Sequence, residues 1–301
     1  MNITLTGASG LIGRRLMKNL VGAGHTIHVL SRHAGTNLPP NVRLSVWDPV
    51  KGLAPEDSLR DADAVVHLAG EPVAQRWSAD VKTRIRESRV SGTRNLVASI
   101  GKLSRRPQVL VSASAVGYYG SRGDQVLDEF ASPANDFLGE LCTAWEKEAR
   151  EAETLGIRVV TIRTGIVLDA RGGALKRMLP PFRVGAGGRL ADGRHWMSWI
   201  HAEDLAAMYR FAIETQSARG AFNGVSPNPV TNSDFTRALA GAVRRPAIFP
   251  VPAFALKMVF GEMSQILLAS QRVVPKGPEG AGFRFRFPQL QAALADVLRS
   301  A

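Results

Sequence analysis

Three glycines at a spacing of three stand near the start of the chain, in Thr6-Gly7-Ala8-Ser9-Gly10-Leu11-Ile12-Gly13. Backbone N–H groups that no Cβ shields can approach a phosphate, and a helix opening behind them favours an anion through its unpaired donors and its dipole. Proton transfer is the second chemistry on offer. Ser112, Ser114, Tyr118 and Tyr119 follow one another in one short stretch. A serine hydroxyl can hold a substrate oxygen, and a phenol can exchange a proton with it. Ser114 could equally be a strand-end serine satisfying the backbone. The two tyrosines could instead pack over a bound ligand. Arg32 offers a third element, a fixed cation for a phosphate.

These residues need particular elements to hold them. Ile3-Thr4-Leu5 reads as a strand, and Leu16, Leu20 and Val21 place one apolar face on a following helix. Strand, glycine turn and helix are the context of a dinucleotide-binding fingerprint. Gly7 turns the chain, Gly10 admits the pyrophosphate and Gly13 brings the helix close to the strand. An ordinary tight strand–helix turn is the alternative. Ile27 to Leu30 forms a second strand after Gly24, ending in Ser31-Arg32-His33. An acidic residue near that end would accept the ribose hydroxyls of NAD, whereas an arginine suits the 2′-phosphate of NADP(H). Ser31 and Arg32 therefore point to NADP(H), with a plain surface arginine as the alternative.

Val42 to Asp48 alternates as a third strand, and Ala64 to Leu68 is a short apolar run suited to a buried parallel strand. Leu68, Ala69 and Gly70 end it with small residues that let a nucleotide pass near the backbone. Residues 78–102 read as a helix, Val109 to Ser112 as a strand, and Phe137, Leu141 and Trp145 as one face of a helix from Asp136 to Gly156. Val159 to Ile162 is the next strand. Thr164, just beyond it, joins Ser112 among the expected cofactor contacts. The alternation predicts an α/β fold, a Rossmann doubly wound parallel sheet, with a smaller C-terminal substrate domain. The expected division is residues 1–165 for cofactor binding and 166–301 for the substrate, with 200–223 returning to the first domain.

Beyond Gly165 the texture changes. Glycines at 172, 173, 185, 187 and 188 suit a mobile wall of a ligand cleft, with Leu175, Met178, Leu179 and Phe182 folding against the ligand. A rigid packed loop is the alternative. Asp192-Gly193 offers a hairpin turn before Trp196 to Ile200. His201 and Asp204 either line the cleft or, for Asp204, cap the helix that begins there. Thr231 to Asp234 caps another. Gly282-Phe283-Arg284-Phe285-Arg286-Phe287 alternates with a period of two and reads as a strand with one buried aromatic face rather than a nucleic-acid stacking surface.

Composition narrows the class. An apolar fraction of 45% is enough for a packed core. The single cysteine, Cys142, excludes an internal disulfide and suits a reducing compartment. The chain opens directly into a strand with no leader, and no apolar run is long enough to span a bilayer, so a cytoplasmic protein is expected. The net charge of +12 favours anionic ligands, and its scattered arginines form no nucleic-acid motif. No histidine, cysteine or acid cluster has metal-ligand spacing. The expected partner is a small-molecule substrate, with a homodimer left open.

The glycine turn, the His67-Leu68-Ala69-Gly70 strand end and the stretch from Ser112 to Gly120 resemble the extended short-chain dehydrogenase/reductases. Trp199-Ile200-His201-Ala202-Glu203-Asp204-Leu205-Ala206 resembles the element that follows their substrate loop. Leu267 to Pro275, with Gly282-Phe283 and Phe287-Pro288, resembles the C-terminal signature of an atypical subgroup, the NAD-dependent epimerase/dehydratase-like "epimerase family" proteins. The resemblance implies a Tyr-x-x-x-Lys pair on the helix after the serine strand. Aligning Glu146 with the usual downstream acid puts Leu138 and Cys142 at those positions, and neither can do that acid–base work. It also implies that Ser114 is the superfamily's serine and that Arg89, in Arg89-Val90-Ser91-Gly92-Thr93, contacts the cofactor; a surface helix arginine is the alternative. Two functions remain open: an NADP(H)-dependent oxidoreductase or epimerase using Tyr118 or Tyr119, and a regulatory protein that senses NADPH without turning it over. A nucleic-acid regulator is a weaker third.

Overall fold

The computed structural model describes residues 1–34, 38, 39 and 41–299. Strands β1 (Asn2–Thr6), β2 (Thr26–Ser31), β3 (Val42–Val46), β4 (Ala64–His67), β5 (Val109–Ala115), β6 (Arg158–Thr164) and β7 (Gly220–Gly224) form one sheet. Their order is β7-β6-β5-β4-β1-β2-β3, and every pair is parallel. The order reverses direction between β1 and β4, which opens a crevice at the carboxyl ends of those strands.

The helices are α1 (Leu11–Gly22), α2 (Ala79–Gly101), α3 (Phe137–Arg150), α4 (Gly173–Arg183), α5 (Ala202–Glu214) and α6 (Asn232–Val243), with a last helix at Leu290–Arg299. Alternate strand residues serve opposite faces. Ile3, Leu5, Val66, Val111 and Ile162 pack with Leu16 and Leu20 of α1 and Leu205 and Met208 of α5. Val65, Leu110 and Val159 pack the other way, against Leu96 and Ile100 of α2 and Ala149 of α3. Such two-sided burial is why these strands read as continuous apolar runs. Each fully buried aliphatic side chain contributes about 1.5–3 kcal/mol.

Helix ends follow the local chemistry. Gly24, at φ +83°, turns the chain out of α1 toward β2. Ser78 caps α2 by accepting from the Val81 N–H, and Asp136 caps α3 by accepting from Gly139. Helix α5 and strand β7 come from beyond the glycine-rich stretch, yet α5 packs on α1 and β7 pairs with β6. A separate core joins α4, α6 and the last helix through Leu175, Leu179, Phe235, Leu239 and Leu294.

Two expectations are corrected here. Residues 173–183 of the glycine-rich stretch form helix α4, and Leu175, Leu179 and Phe182 are buried in that C-terminal core rather than offered to a ligand. Gly282 to Phe287 is not a strand. Phe283 is buried while Arg284 and Arg286 are exposed, so the period of two survives without a ladder. The Arg286 and Phe287 N–H groups donate instead to the two Asp204 carboxylate oxygens, each at 2.9 Å.

Candidate cofactor and active site

Gly7 has φ +72°, and a Cβ on it would stand 2.7 Å from the Leu68 carbonyl carbon. The strand end Leu68-Ala69-Gly70 therefore lies directly against the glycine turn. A Cβ on Gly13 would stand 2.2 Å from the Gly7 oxygen, so α1 rests on the turn itself. Gly10 donates to Gly7 O at 3.0 Å and is the N-cap of α1. Unlike α2, α3, α5 and α6, this helix has no side-chain cap, and its first turn holds no acid. Its first N–H groups at Leu11 and Ile12 are left for an outside acceptor. This cradle of unshielded backbone donors fits a pyrophosphate. Ala8 is buried, whereas Ser9 and Gly10 are exposed at the rim.

Thr6 fastens the neighbouring strand end. Its hydroxyl oxygen accepts from the Leu68 and Ala69 N–H groups, both at 3.1 Å, and so donates its proton to His67 Nδ1 at 2.8 Å. That bond assigns the proton of the neutral imidazole to Nε2. Burial pushes the His67 pKa down to about 4. Thr6, His67, Ser112 and Thr161 stand in register across four strands, all on the α2/α3 side of the sheet.

Ser31 ends β2, and the exposed Arg32 follows it. Sequence reasoning missed a neighbour: Arg14 Nε donates to Ser9 O at 2.8 Å, which holds a second guanidinium beside the glycine turn. It also missed Arg15, which pairs with Asp169 and Glu203. Burial opposes the charge of Asp169, but Arg15 outweighs it and holds that carboxyl below its ordinary range. A Cβ on Gly172 would stand 2.8 Å from Leu11, so the segment before α4 is both clamped and packed onto the start of α1.

The serine–tyrosine stretch is built on a buried network. Ser114 donates to Glu146 Oε1 at 2.7 Å. Arg163 forms a two-pronged pair with the same carboxylate and donates to the Tyr119 hydroxyl oxygen at 2.9 Å. Tyr119 in turn donates to Asn223 Oδ1 at 2.7 Å. Tyr119 is fully buried, and burial pushes its pKa up. Its proton is committed to Asn223, so the expectation of Tyr119 as a proton donor to a ligand is corrected to a structural role. Tyr118 is half-buried, with its ring 3.5 Å from the Arg163 guanidinium. No described residue hydrogen-bonds its hydroxyl. Gln271, from the C-terminal signature, donates to Val116 O at 2.9 Å and Gly120 O at 3.1 Å and so holds the turn that carries both tyrosines. No local pattern could have signalled Gln271, Asn223 or Arg163, which join the network from distant points of the chain.

Leu138 packs against Gly117, where a Cβ would stand 3.1 Å from the leucine Cβ. Cys142 is buried beside Ser114, and burial, with Glu146 adding to it, pushes its thiol up to about 12. Neither position can exchange protons near neutrality. A cation does stand close by. Arg89 donates to Glu71 O at 2.9 Å, lies 5.1 Å from the Trp145 ring centre, and would be 3.1 Å from a Cβ on Gly70. Ser112 is fully buried, and Thr164 is half-buried at the end of β6. His201 and Asp204 do not line the cleft. His201 Nδ1 caps α5 by accepting from Glu203 N–H at 3.1 Å, and Asp204 holds the C-terminal segment. No group of metal-binding residues occurs, and no helix is long and apolar enough to cross a membrane, among the described residues.

The NAD dependent epimerase/dehydratase family matches residues 3–223, and a domain of unknown function, DUF1731, matches residues 251–297. The Bacillus subtilis epimerase family protein YfhF is 38% identical over 299 residues, which cover 99% of this chain and 98% of that one. The mouse epimerase family protein SDR39U1 is 36% identical, covering 99% and 100%. The crystal structure of human SDR39U1 with NADPH superposes with a TM-score of 0.90 at 32% identity and full coverage of both chains. A Thermus thermophilus UDP-glucose 4-epimerase, 19% identical with a TM-score of 0.78 over the full length of both chains, shares the fold. The chain is a member of the NAD dependent epimerase/dehydratase family, within its atypical extended short-chain dehydrogenase/reductases.

Proposed function

We propose that this chain binds NADP(H) and acts as an oxidoreductase or epimerase-like enzyme with a rearranged proton-handling site. The observation that carries the reading is the uncapped start of α1 above the glycine turn, flanked by Arg32 and Arg14. The backbone donors of Leu11 and Ile12 would hold the pyrophosphate, and Gly10, with no side chain, leaves their approach open. Arg32 and Ser31, helped by Arg14 beside Ser9, hold a 2′-phosphate. The strand end Leu68-Ala69-Gly70 lets the nucleotide pass, and Arg89 supplies a fixed cation next to it. Ser112 and Thr164 close the row of strand ends. The nicotinamide supplies or accepts a hydride when bound. Proton handling falls to Tyr118, whose hydroxyl no described residue engages, while Ser114, Glu146 and Arg163 orient the turn from beneath. The human relative solved with NADPH supports the choice of nucleotide.

A second reading is a non-catalytic NADPH sensor, and one observation favours it: Leu138 and Cys142 stand at the positions of the acid–base pair and are apolar or buried. The two readings separate in steady-state NADPH oxidation against a panel of aldehydes and ketones. Sustained turnover that disappears in Tyr118→Phe supports the enzyme. Tight binding with no turnover by any of them supports the sensor.

A further inference from the structure

A cavity of about 320 Å³ lies along α6 and shares no residue with the glycine turn or the tyrosine network. Ser233, Thr236, Arg237 and Ala240 line it at spacings of three and four, so one stripe of the helix forms a wall. Arg189, Ala247 and Ile248 complete the lining.

Thr236 belongs to this wall. It is only 6% exposed, yet its hydroxyl makes no hydrogen bond with any described residue. The hydroxyl oxygen itself is not sealed off, so it is free to bond a group that enters the cavity. The Thr231 hydroxyl one turn earlier shows the ordinary alternative, since it accepts from Asp234 N–H as the helix cap. The first-turn N–H groups of α6 are also engaged: Asn232 donates to His195 O, Ser233 to Gly193 O and Asp234 to Thr231. Recognition in this cavity therefore falls to side chains.

Those side chains are cationic and hydroxylic. The backbone at Arg189 is fixed, because its carbonyl accepts from Val251 N–H at 2.8 Å and Leu190 N–H donates to Asn232 at 2.7 Å. A Cβ on Gly193 would stand 2.1 Å from Ser233 Oγ and 3.1 Å from Arg189 Cδ, so the absence of a side chain there lets both approach the same wall. Arg189 makes no ion pair with a described residue. Arg237 pairs with Asp234 at 3.2 Å on the exposed surface, a contact weak enough to exchange for a ligand. With Asp234 counted, two guanidinium groups face one carboxylate.

The geometry points to a second ligand site, for a small organic oxyanion. Its phosphate or carboxylate head lies between Arg189, Arg237 and the hydroxyls of Ser233 and Thr236, and a compact apolar body rests on Ala240, Ala247 and Ile248. The cavity volume is at the small end of ligand sites. This site does not depend on the reading of the cofactor cleft.

Methyl-labelled alanine and isoleucine place reporters in the site itself. Phenyl phosphate and benzoate, titrated separately, distinguish the two head groups. The expected result is saturable shifts of the Ala240 and Ile248 methyl signals with at least one probe, at about millimolar concentration or below. Arg189→Gln and Thr236→Val should each weaken that binding about tenfold or more, as loss of a hydrogen bond to a charged group does. Shifts that grow linearly without saturation with both probes, or an affinity unchanged in both variants, would overturn the site. The Gln variant lies on the surface, so a failure of Thr236→Val to fold leaves the test intact.

Discussion

Arg163 grips Glu146 through two parallel hydrogen bonds, Nε to Oε1 at 2.8 Å and Nη2 to Oε2 at 2.9 Å, with both side chains buried. Ser114 and Tyr119 hang from this pair, and the ring of Tyr118 lies over the same guanidinium. The hydroxyls that give the chain its acid–base look are thus positioned from beneath by one ion pair that joins α3 to β6. Removing one partner of a buried pair leaves the other charge uncompensated and costs about 3–5 kcal/mol. Glu146→Ala should lower the unfolding free energy by that amount in urea denaturation. Replacing both, as Glu146→Leu with Arg163→Met, should recover part of the loss. A single variant as stable as the parent would show that Arg163 has another counter-charge.

Adjacent tyrosines should behave oppositely. Tyr119→Phe removes a buried hydroxyl that both donates and accepts, so it should cost about 1–3 kcal/mol of stability. Tyr118→Phe should change stability by less than about 0.5 kcal/mol, as surface-side changes usually do. Where turnover is found, Tyr118→Phe should abolish it, with NADPH affinity unchanged. The reverse assignment, a neutral Tyr119→Phe with a destabilising Tyr118→Phe, contradicts the network.

His67 makes stability depend on pH. Its folded pKa is depressed from 6.5 to about 4, so below pH 6.5 the unfolded chain takes up a proton that the folded chain refuses. Stability from this group is complete above pH 6.5, falls as the pH drops toward 4, and falls no further below that. The full loss is about 3 kcal/mol. His67→Asn keeps an acceptor for the Thr6 hydroxyl but cannot titrate. Denaturant unfolding between these pH values should show a shallower decline in the variant, and parallel declines in both proteins would mean that His67 is not the group that titrates.

Two glycines separate fold from binding. A Cβ on Gly13 would stand 2.2 Å from the Gly7 oxygen, so Gly13→Ala should destabilise the whole N-terminal layer, which thermal unfolding reads. A Cβ on Gly10 meets only that oxygen, at 3.2 Å. Gly10→Ala should therefore keep most of the stability and weaken NADPH binding about tenfold or more, by blocking a charge-assisted backbone contact. Equal effects of the two substitutions on melting temperature would contradict this placement of the turn.

The sheet and its glycine turn were legible because their signals are local: apolar runs, helix stops such as Gly24, and caps such as Ser78 and Asp136 lie beside the elements they define. The site was legible only by position. Nothing in the sequence tells Tyr118 from Tyr119, because their difference is made by Asn223 and Arg163, which arrive from β7 and β6. Asp204 looked like a cap because it begins a helix, but the cap is His201, and the Asp204 oxygens serve backbone donors at Arg286 and Phe287. Leu175, Leu179 and Phe182 have helical spacing, yet only the tertiary partners on α6 and the last helix decide that they are core rather than ligand wall.

The proposed seat of the dinucleotide is the uncapped α1 terminus, with Arg32 under its 2′-phosphate. Calorimetric titration of NADPH and NADH into the parent protein and Arg32→Ala reads this contact. The parent should prefer NADPH, and the variant should lose about tenfold or more in NADPH affinity while NADH binding barely changes, since a charge-assisted contact to phosphate contributes about 1.5–3 kcal/mol. Equal losses for both nucleotides, or no binding of either by the parent, would contradict this placement.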